Sequence, residues 1–169
     1  MSELPLGIDV SRWQGVIDWD MVVRGVPRVV FVGIRASISW GYQDSFFKRN
    51  WDEAKRVGLL RAAYHVVYPN EPATRQIDNF LKVIGADLGE LPLVLDVELD
   101  KGAAPGAIAE CILGCSNLVL ARSGRKPLIY SRAQWIDLYV TGAGRTPPAW
   151  LNQYDWWLAH YNADGSEHA

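Results

Sequence analysis

Short apolar runs alternate with longer stretches of helical periodicity along most of the chain. Gly, Pro and polar residues bound the apolar runs, which is typical of buried β-strands. Six strands are predicted, at residues 6–10, 29–36, 59–67, 93–99, 128–131 and 156–161. Helices are predicted between them at residues 16–23, 46–57, 73–84, 107–121 and 133–140, with Asp18 and Ser45 as capping residues of the first two.

This alternation predicts a parallel sheet built from β-α-β units, because parallel neighbours need a crossover between them. A barrel and a doubly wound sheet both fit the pattern, and in either one the chemistry belongs at the carboxyl ends of the strands. Polar and aromatic residues gather at these ends: Asp9, Arg35, Ser37, Tyr64, His65, Asp96, Glu98, Tyr130, His160 and Tyr161. Packing alone explains this convergence poorly, so the sequence predicts a site there.

Two acids mark the fourth predicted strand, LVLDVEL at residues 93–99. Successive side chains on a strand face opposite sides of the sheet, so Asp96 and Glu98 share one face. Neighbouring carboxylates repel each other, and burial adds to the cost of ionising both. Such a pair can hold one group protonated and the other ionised, as acid-assisted glycoside hydrolysis requires. A solvated strand end is the alternative explanation.

Composition narrows the class of protein. A chain of 169 residues, 49% of them hydrophobic, suits one globular domain, and a net charge of −2 favours neither nucleic acid nor an anionic membrane as partner. Neither a signal peptide nor a membrane-spanning run is visible, so we expect a protein made in the cytoplasm without membrane insertion. The eight Trp and seven Tyr suit a groove that binds sugars, as well as a core.

The two cysteines, Cys111 and Cys115, are four residues apart in a predicted helix. This spacing rarely allows disulfide geometry, and no neighbouring Cys or His completes a metal site. We therefore expect two buried structural thiols. No metal or other cofactor is expected.

Several segments resemble one known family. Residues 7–15 (GIDVSRWQG) resemble an opening Asp-x-Ser-x-x-Gln-Gly motif, and residues 93–98 (LVLDVE) resemble an Asp-x-Glu strand. Residues 31–37, 63–65, 127–131 and 157–161 resemble further blocks of the same family. The family is glycoside hydrolase family 25, the barrel-type muramidases or lysozymes often carried by bacteriophages.

The resemblance implies an irregular TIM-like β/α barrel in which residues 1–169 form a single catalytic domain. It also implies cleavage of the β-1,4 bond between N-acetylmuramic acid and N-acetylglucosamine in the glycan strands of peptidoglycan. Glu98 would be the general acid, Asp96 would orient the substrate's acetamido group, and Asp9 would be an electrostatic partner at the same centre. Repulsion among these three acids is expected to keep Glu98 protonated.

The resemblance also implies a set of substrate-binding residues: Tyr64, Tyr130, Arg35 and Trp157. Several of the catalytic and substrate-binding residues also have a purely structural explanation. Asp9 would then cap the following turn, Arg35 would belong to a structural ion pair, and the two tyrosines would be core aromatics. His65 is expected to pack with a satisfied hydrogen bond.

The chain departs from the family after the sixth predicted strand. The family adds two more strands there, so we expect a barrel that lacks them, with a second chain or self-association covering its open edge. We expect the protein to reach the cell wall after lysis, through a membrane pore or by virion delivery. Two alternatives stay open: a chitinase-like acetamido-glycosidase, and a non-catalytic wall-binding or virion structural module on the same scaffold.

Overall fold

Six parallel strands and one short antiparallel strand form a single sheet in the computed structural model, which describes residues 4–142 and 146–159. The strands are β1 (Leu6–Val10), β2 (Val29–Ile38), β3 (Tyr42–Gln43), β4 (Leu60–Val66), β5 (Val94–Asp96), β6 (Leu128–Arg132) and β7 (Asp155–Ala159). Their order is β1-β2-β4-β5-β6-β7, and β3 pairs with β2. The parallel pairing of the main path agrees with the prediction.

Helices connect the strands: α1 (Trp19–Arg24), α2 (Phe47–Arg56), α3 (Ala73–Ile84), α4 (Pro105–Ser123) and α5 (Ala133–Ile136). A π-helical turn at Asp137–Thr141 extends α5, and 3₁₀ turns lie at Arg12–Gln14 and Ala149–Gln153. In the described part of the chain, none of the helices has the length and apolar character needed to cross a bilayer.

One of the two predicted helix caps is correct. Asp18 caps α1, because its Oδ1 accepts the Met21 N–H at 3.1 Å. The prediction for Ser45 is wrong: α2 has Phe46 at its N-cap position, without a side-chain cap. Oδ1 of Asp44 accepts the Phe46 N–H at 3.0 Å, so the acid preceding Ser45 supplies the acceptor at this turn.

The central strand β5 is shorter than predicted. Its ladder covers only Val94–Asp96, and the Val97 N–H then donates to the Tyr130 carbonyl at 2.9 Å. Glu98 therefore lies just beyond the paired strand, at the rim of the sheet, while Asp96 is the last paired residue. The sixth predicted strand is observed as β7, and residues 160 and 161 of that prediction lie outside the described residues.

The two faces of the sheet have different roles. The outer face packs against the helices, where Val32, Ile34, Leu95 and Ile129 are fully buried with apolar residues such as Phe80 in one core. Parallel strands covered in this way are near-continuously apolar. The inner face carries Asp9, Arg35, Tyr64, Asp96 and Tyr130, five of the polar and aromatic residues predicted at the strand ends.

The sheet curls into a half-barrel. The rings of Phe31 on β2 and Trp157 on β7 lie 6.5 Å apart between centroids, although three strands separate β2 from β7 in the sheet. A flat sheet would hold these rings well over 10 Å apart, since neighbouring strands are about 5 Å apart. Gly7 makes room for the Phe31 ring, because a Cβ there would come within 2.1 Å of it. The expected absence of two family strands stays a prediction.

Candidate active site

A cavity of about 390 Å³ opens on the inner face, at the carboxyl ends of the parallel strands. We call it the acidic cavity. All seven residues predicted for catalysis or substrate binding line it: Asp9, Arg35, Tyr64, Asp96, Glu98, Tyr130 and Trp157. The pairing register explains this convergence, since Asp96 lies opposite Tyr130 and Tyr130 lies opposite Trp157 on adjacent strands. Residues paired in this way point to the same side of a sheet.

Asp96 and Glu98 both line the acidic cavity, and their carboxyl groups lie close enough to interact. Burial, the neighbouring Glu98 carboxylate and the charge of Asp9 together raise the pKa of Asp96 to about 8, with burial the largest cause. Asp96 is deeply buried, and burial penalises its charged form, so the protonated form of Asp96 is favoured in the free protein. The expected proton on Glu98 stays a prediction.

One oxygen of Asp96 has no protein partner. Its Oδ1 is buried and accepts no hydrogen bond from the described residues. A buried polar atom in this state costs free energy until a donor reaches it. In a cavity open to solvent, an N–H or O–H of a bound molecule can supply that donor.

Asp9 reaches the same centre from β1. It lies opposite Gly33 on β2, and a Cβ at Gly33 would come 3.6 Å from the Asp9 Cβ and 3.9 Å from the Tyr64 ring. The small residue therefore leaves space between the two side chains. Burial raises the pKa of Tyr64 well above its usual value, and the Asp9 charge adds to this effect. Tyr64 thus stays protonated beside the acids.

Arg35 pairs with an acid outside the acidic cavity. Its Nε donates to Oδ2 of Asp44 at 2.8 Å, and both side chains are buried. Arg35 therefore belongs to a buried ion pair, as the structural alternative predicts, and its partner is Asp44. Arg35 still lines the acidic cavity, and its charge partly offsets the rise in the pKa of Asp96.

Aromatic rings form the opposite wall of the acidic cavity. Tyr130 and Trp157 meet edge to face, with centroids 5.2 Å apart. Aromatic faces and edges of this kind suit the apolar faces of sugar rings while their polar atoms supply hydrogen bonds.

Sequence reasoning missed several residues around the acids. Arg132 at the end of β6 places its Nε 3.5 Å from Oε2 of Glu98, and Ser11, Trp13 and Gln14 line the same cavity. Ser11 and Gln14 form a capping box around the 3₁₀ turn after β1. The motif at residues 7–15 contains this signal, since it includes both capping residues as well as Asp9.

His65 belongs to the outer face and not to the site. Its Nδ1 lies 2.8 Å from the Ser37 hydroxyl, and burial lowers its pKa to about 4, so the ring stays neutral. This confirms the predicted packing role. His160 and Tyr161 lie outside the described residues. Cys111 and Cys115 are free thiols, and Cys115 is the fully buried one.

The fold and cavity define an α/β half-barrel with a carboxylate site at the carboxyl ends of its strands. The chain belongs to the glycosyl hydrolases family 25, whose sequence model matches residues 8–169.

Relatives of known sequence agree with this membership. The chain is 36% identical over 159 residues to the uncharacterized protein YegX of Escherichia coli (strain K12), covering 92% of this chain and 56% of that protein. It is 32% identical over 165 residues to Lysozyme M1 of Streptomyces globisporus, covering 92% and 54%. The chain thus spans about half the length of these curated relatives.

Solved structures share the architecture. A bacterial lysozyme from Streptomyces coelicolor superposes with a TM-score of 0.77 at 27% identity, over 96% of this chain and 76% of that chain. A muramidase from Acremonium alcalophilum reaches a TM-score of 0.80 at 24% identity, over 93% and 77%, and this shows a shared fold.

Proposed function

We propose that the protein is a peptidoglycan hydrolase, an N-acetylmuramidase that cleaves the β-1,4 bond between N-acetylmuramic acid and N-acetylglucosamine. One observation carries this proposal: the interacting carboxyl groups of Asp96 and Glu98 line one aromatic-walled cavity together with Asp9. The lysozyme and muramidase relatives support it. On this view residues 1–169 act as one catalytic domain on the bacterial cell wall, after release by lysis, through a pore or from a virion.

In this mechanism Glu98 is the general acid and Asp96 positions the substrate. The acetamido N–H of the muramic acid residue donates to the unpartnered oxygen of Asp96, which favours the ionised form of that acid. The proton held by Asp96 then moves to Glu98. This transfer reconciles a raised pKa on Asp96 with acid catalysis by Glu98.

Bond cleavage then follows with the proton at Glu98. Glu98 protonates the glycosidic oxygen as its bond to C1 breaks, and the acetamido carbonyl oxygen bonds to C1. The carboxylates of Asp96 and Asp9 stabilise the positive charge that develops on the sugar. Water next attacks C1 as the bond between C1 and the acetamido oxygen breaks, and it gives a proton to Glu98. When the product leaves, this proton returns from Glu98 to Asp96, so the acid pair is restored.

The wall residues bind the sugar in this mechanism. Tyr130 and Trp157 pack against the ring, and Tyr64 stays protonated as a hydrogen-bond donor. Arg35 contributes positive charge while its bond to Asp44 fixes its position.

The test is release of reducing ends from purified peptidoglycan by the wild-type protein and by Glu98→Gln. Loss of a general acid costs about a hundredfold to ten-thousandfold in rate, so we expect at least a hundredfold loss. Glu110→Gln makes the same chemical change at an exposed position of α4 and should act like the wild type. Wall binding without any release by the wild type would instead support a non-catalytic module. Release from chitin oligomers but not from peptidoglycan would support a chitinase-like enzyme.

A further inference from the structure

A second cavity of about 620 Å³ adjoins the acidic cavity. Trp13 and Arg35 line both cavities, so a ligand bound in one can extend into the other. The rest of its wall includes Arg12, Tyr42 and Tyr68, and we call it the aromatic cavity.

Two tryptophans of the aromatic cavity are open to solvent. Trp13 is 73% exposed and Trp40 is 53% exposed. Exposed aromatic groups that border a concave surface are typical of binding sites.

Two cations stand on the aromatic rings of this cavity. The Arg12 guanidinium lies 4.4 Å from the Trp13 ring centroid and 5.6 Å from that of Tyr42. The Lys101 ammonium lies 4.0 Å from the centroid of Tyr68. Cations held on ring faces keep their charge and their hydrogen-bond donors available on the solvent side.

Neither cation has a carboxylate partner among the described residues. The nearby acid Asp44 is already occupied. Its Oδ2 accepts from Arg35 Nε at 2.8 Å and from the Arg12 backbone N–H at 3.1 Å, and its Oδ1 accepts from the Phe46 N–H. The aromatic cavity therefore presents uncompensated positive charge next to a site rich in acids.

Constrained backbone positions hold the rim of the aromatic cavity. Ser39 (φ 51°) and Lys101 (φ 49°) are the two non-glycine residues with positive φ in the described part of the chain. Buried Asn79 fixes the first loop, because its amide donates to the carbonyls of Ser39 and Tyr42 at 3.0 Å each. Backbone strain of this kind is tolerated where the structure specifies a position tightly.

We propose that the aromatic cavity binds the acidic peptide attached to the muramic acid residue, an inference that rests on the proposed function. A glycan strand in the acidic cavity would project this peptide from its lactyl group, within reach of the adjoining cavity. Arg12 and Lys101 pair with the free carboxylates of the peptide, and the rings of Tyr42 and Trp40 pack against its apolar side chains. The sugars themselves are uncharged and would not need these cations.

The test compares binding of two ligands to Glu98→Gln, which we expect to cleave them at least about a hundredfold more slowly than the wild type. One ligand is peptide-bearing glycan strands. The other is the same strands stripped of peptide by an amidase and then amidated at the lactyl carboxylate that the amidase leaves, so that the sugars stay uncharged. We expect about tenfold tighter binding of the peptide-bearing strands at low salt, since two exposed ion pairs contribute a few-fold each. Adding Arg12→Gln and Lys101→Gln should abolish this difference. Adding Lys82→Gln, an exposed cation on α3, should preserve it.

Two results would overturn the peptide site. One is equal affinity for both ligands, and the other is an equal loss for both when Arg12 and Lys101 are changed, which would assign the cavity to sugars. The proposed function is checked separately by release of reducing ends from stripped strands by the wild type. Peptide-dependent binding without release from either ligand would support the peptide site and overturn the proposed function.

Discussion

The two ends of the half-barrel handle buried charge in opposite ways. At the carboxyl ends of the strands, Asp96 is buried beside Glu98, and its pKa rises to about 8. At the amino ends, Arg61 is 1% exposed, and hydrogen bonds from it hold the pKa of Asp87 well below its usual value. Each end of the sheet places an acid beside another charged side chain. The sign of that neighbouring charge helps to decide whether the acid holds or releases its proton.

At the amino ends of the strands, the buried guanidinium of Arg61 is paired with two carboxylates. Arg61 Nη1 lies 3.0 Å from Asp87 Oδ2, and its Nη2 lies 2.7 Å from Glu90 Oε1. The guanidinium also lies 4.4 Å from the centroid of the Trp51 ring. Such bidentate hydrogen bonds fix the positions of these side chains, and the charge of Arg61 is already paired with carboxylates. The opposite end keeps an unpartnered acid oxygen, which is costly for folding and useful for binding.

Removing the cation at the amino-terminal end should have the largest effect on stability. Arg61→Ala leaves a cavity and separates two acids from their partner, so we expect a loss of about 3 kcal/mol in the free energy of unfolding. Urea unfolding followed by circular dichroism measures it. Arg61→Lys keeps the charge without the fork and should lose less. A loss below about 1 kcal/mol for Arg61→Ala would show that the network is not a major source of stability.

The acid at the other end should make stability fall as the pH rises. The pKa of Asp96 is raised from 3.8 to about 8 on folding, so the folded state binds more protons in this interval. Asp96→Asn removes this effect. As the pH rises from about 4 to about 8, we expect the free energy of unfolding of the variant to increase by about 2 kcal/mol relative to that of the wild type. A lone buried acid would give a larger change, because here Glu98 interacts with Asp96. The measurement is urea unfolding at several pH values.

A matched control tests that assignment. Asp52→Asn removes an exposed acid of α2, whose side chain is 55% exposed and pairs with Lys48. Its stability difference from the wild type should not change across the same interval. A constant difference for Asp96→Asn would contradict the buried, proton-holding state of Asp96.

Asp87 should give the opposite pH dependence with a smaller size. Its folded-state pKa is depressed, so its contribution is present above about pH 4 and is lost as the pH falls further. The side chain is 44% exposed, and we expect well under about 1 kcal/mol after screening by solvent. The stability gap between the wild type and Asp87→Asn should narrow between about pH 5 and pH 2. A gap that widens on acidification would reverse the comparison of the two ends.

The sequence predicts the reactive end better than the stable one. Strand alternation and the Asp-x-Glu spacing are local patterns, and they are enough to predict that Asp96, Glu98 and Asp9 meet at one edge of the sheet. The partners of Arg61 are 26 and 29 residues away along the chain. No local pattern links them, because only the packing of β4 against the loop before β5 brings them together.

The same limit applies inside the site. The spacing of Asp96 and Glu98 predicts that they face the same side of the sheet, but only the fold shows that Asp96 is the acid whose pKa burial raises. Asp96 is buried because it is the last paired residue of β5, whereas Glu98 lies beyond the paired strand, at the rim of the sheet. Asp44, the partner of Arg35, directly follows β3, a two-residue strand at a place where the sequence pattern predicts no strand.

We expect the smallest of these effects from a substitution of Arg132, which tests whether an exposed cation beside Glu98 matters as much as the buried Arg61. The Arg132 Nε lies 3.5 Å from Oε2 of Glu98, but its side chain is 46% exposed, unlike that of Arg61. We expect Arg132→Gln to lower kcat/KM about threefold at low salt, with a smaller change at high salt, because solvent and ions screen exposed pairs. Arg132→Lys should retain most of the activity. A hundredfold loss would instead show that the acidic cavity depends on a paired cation, as the amino-terminal end does.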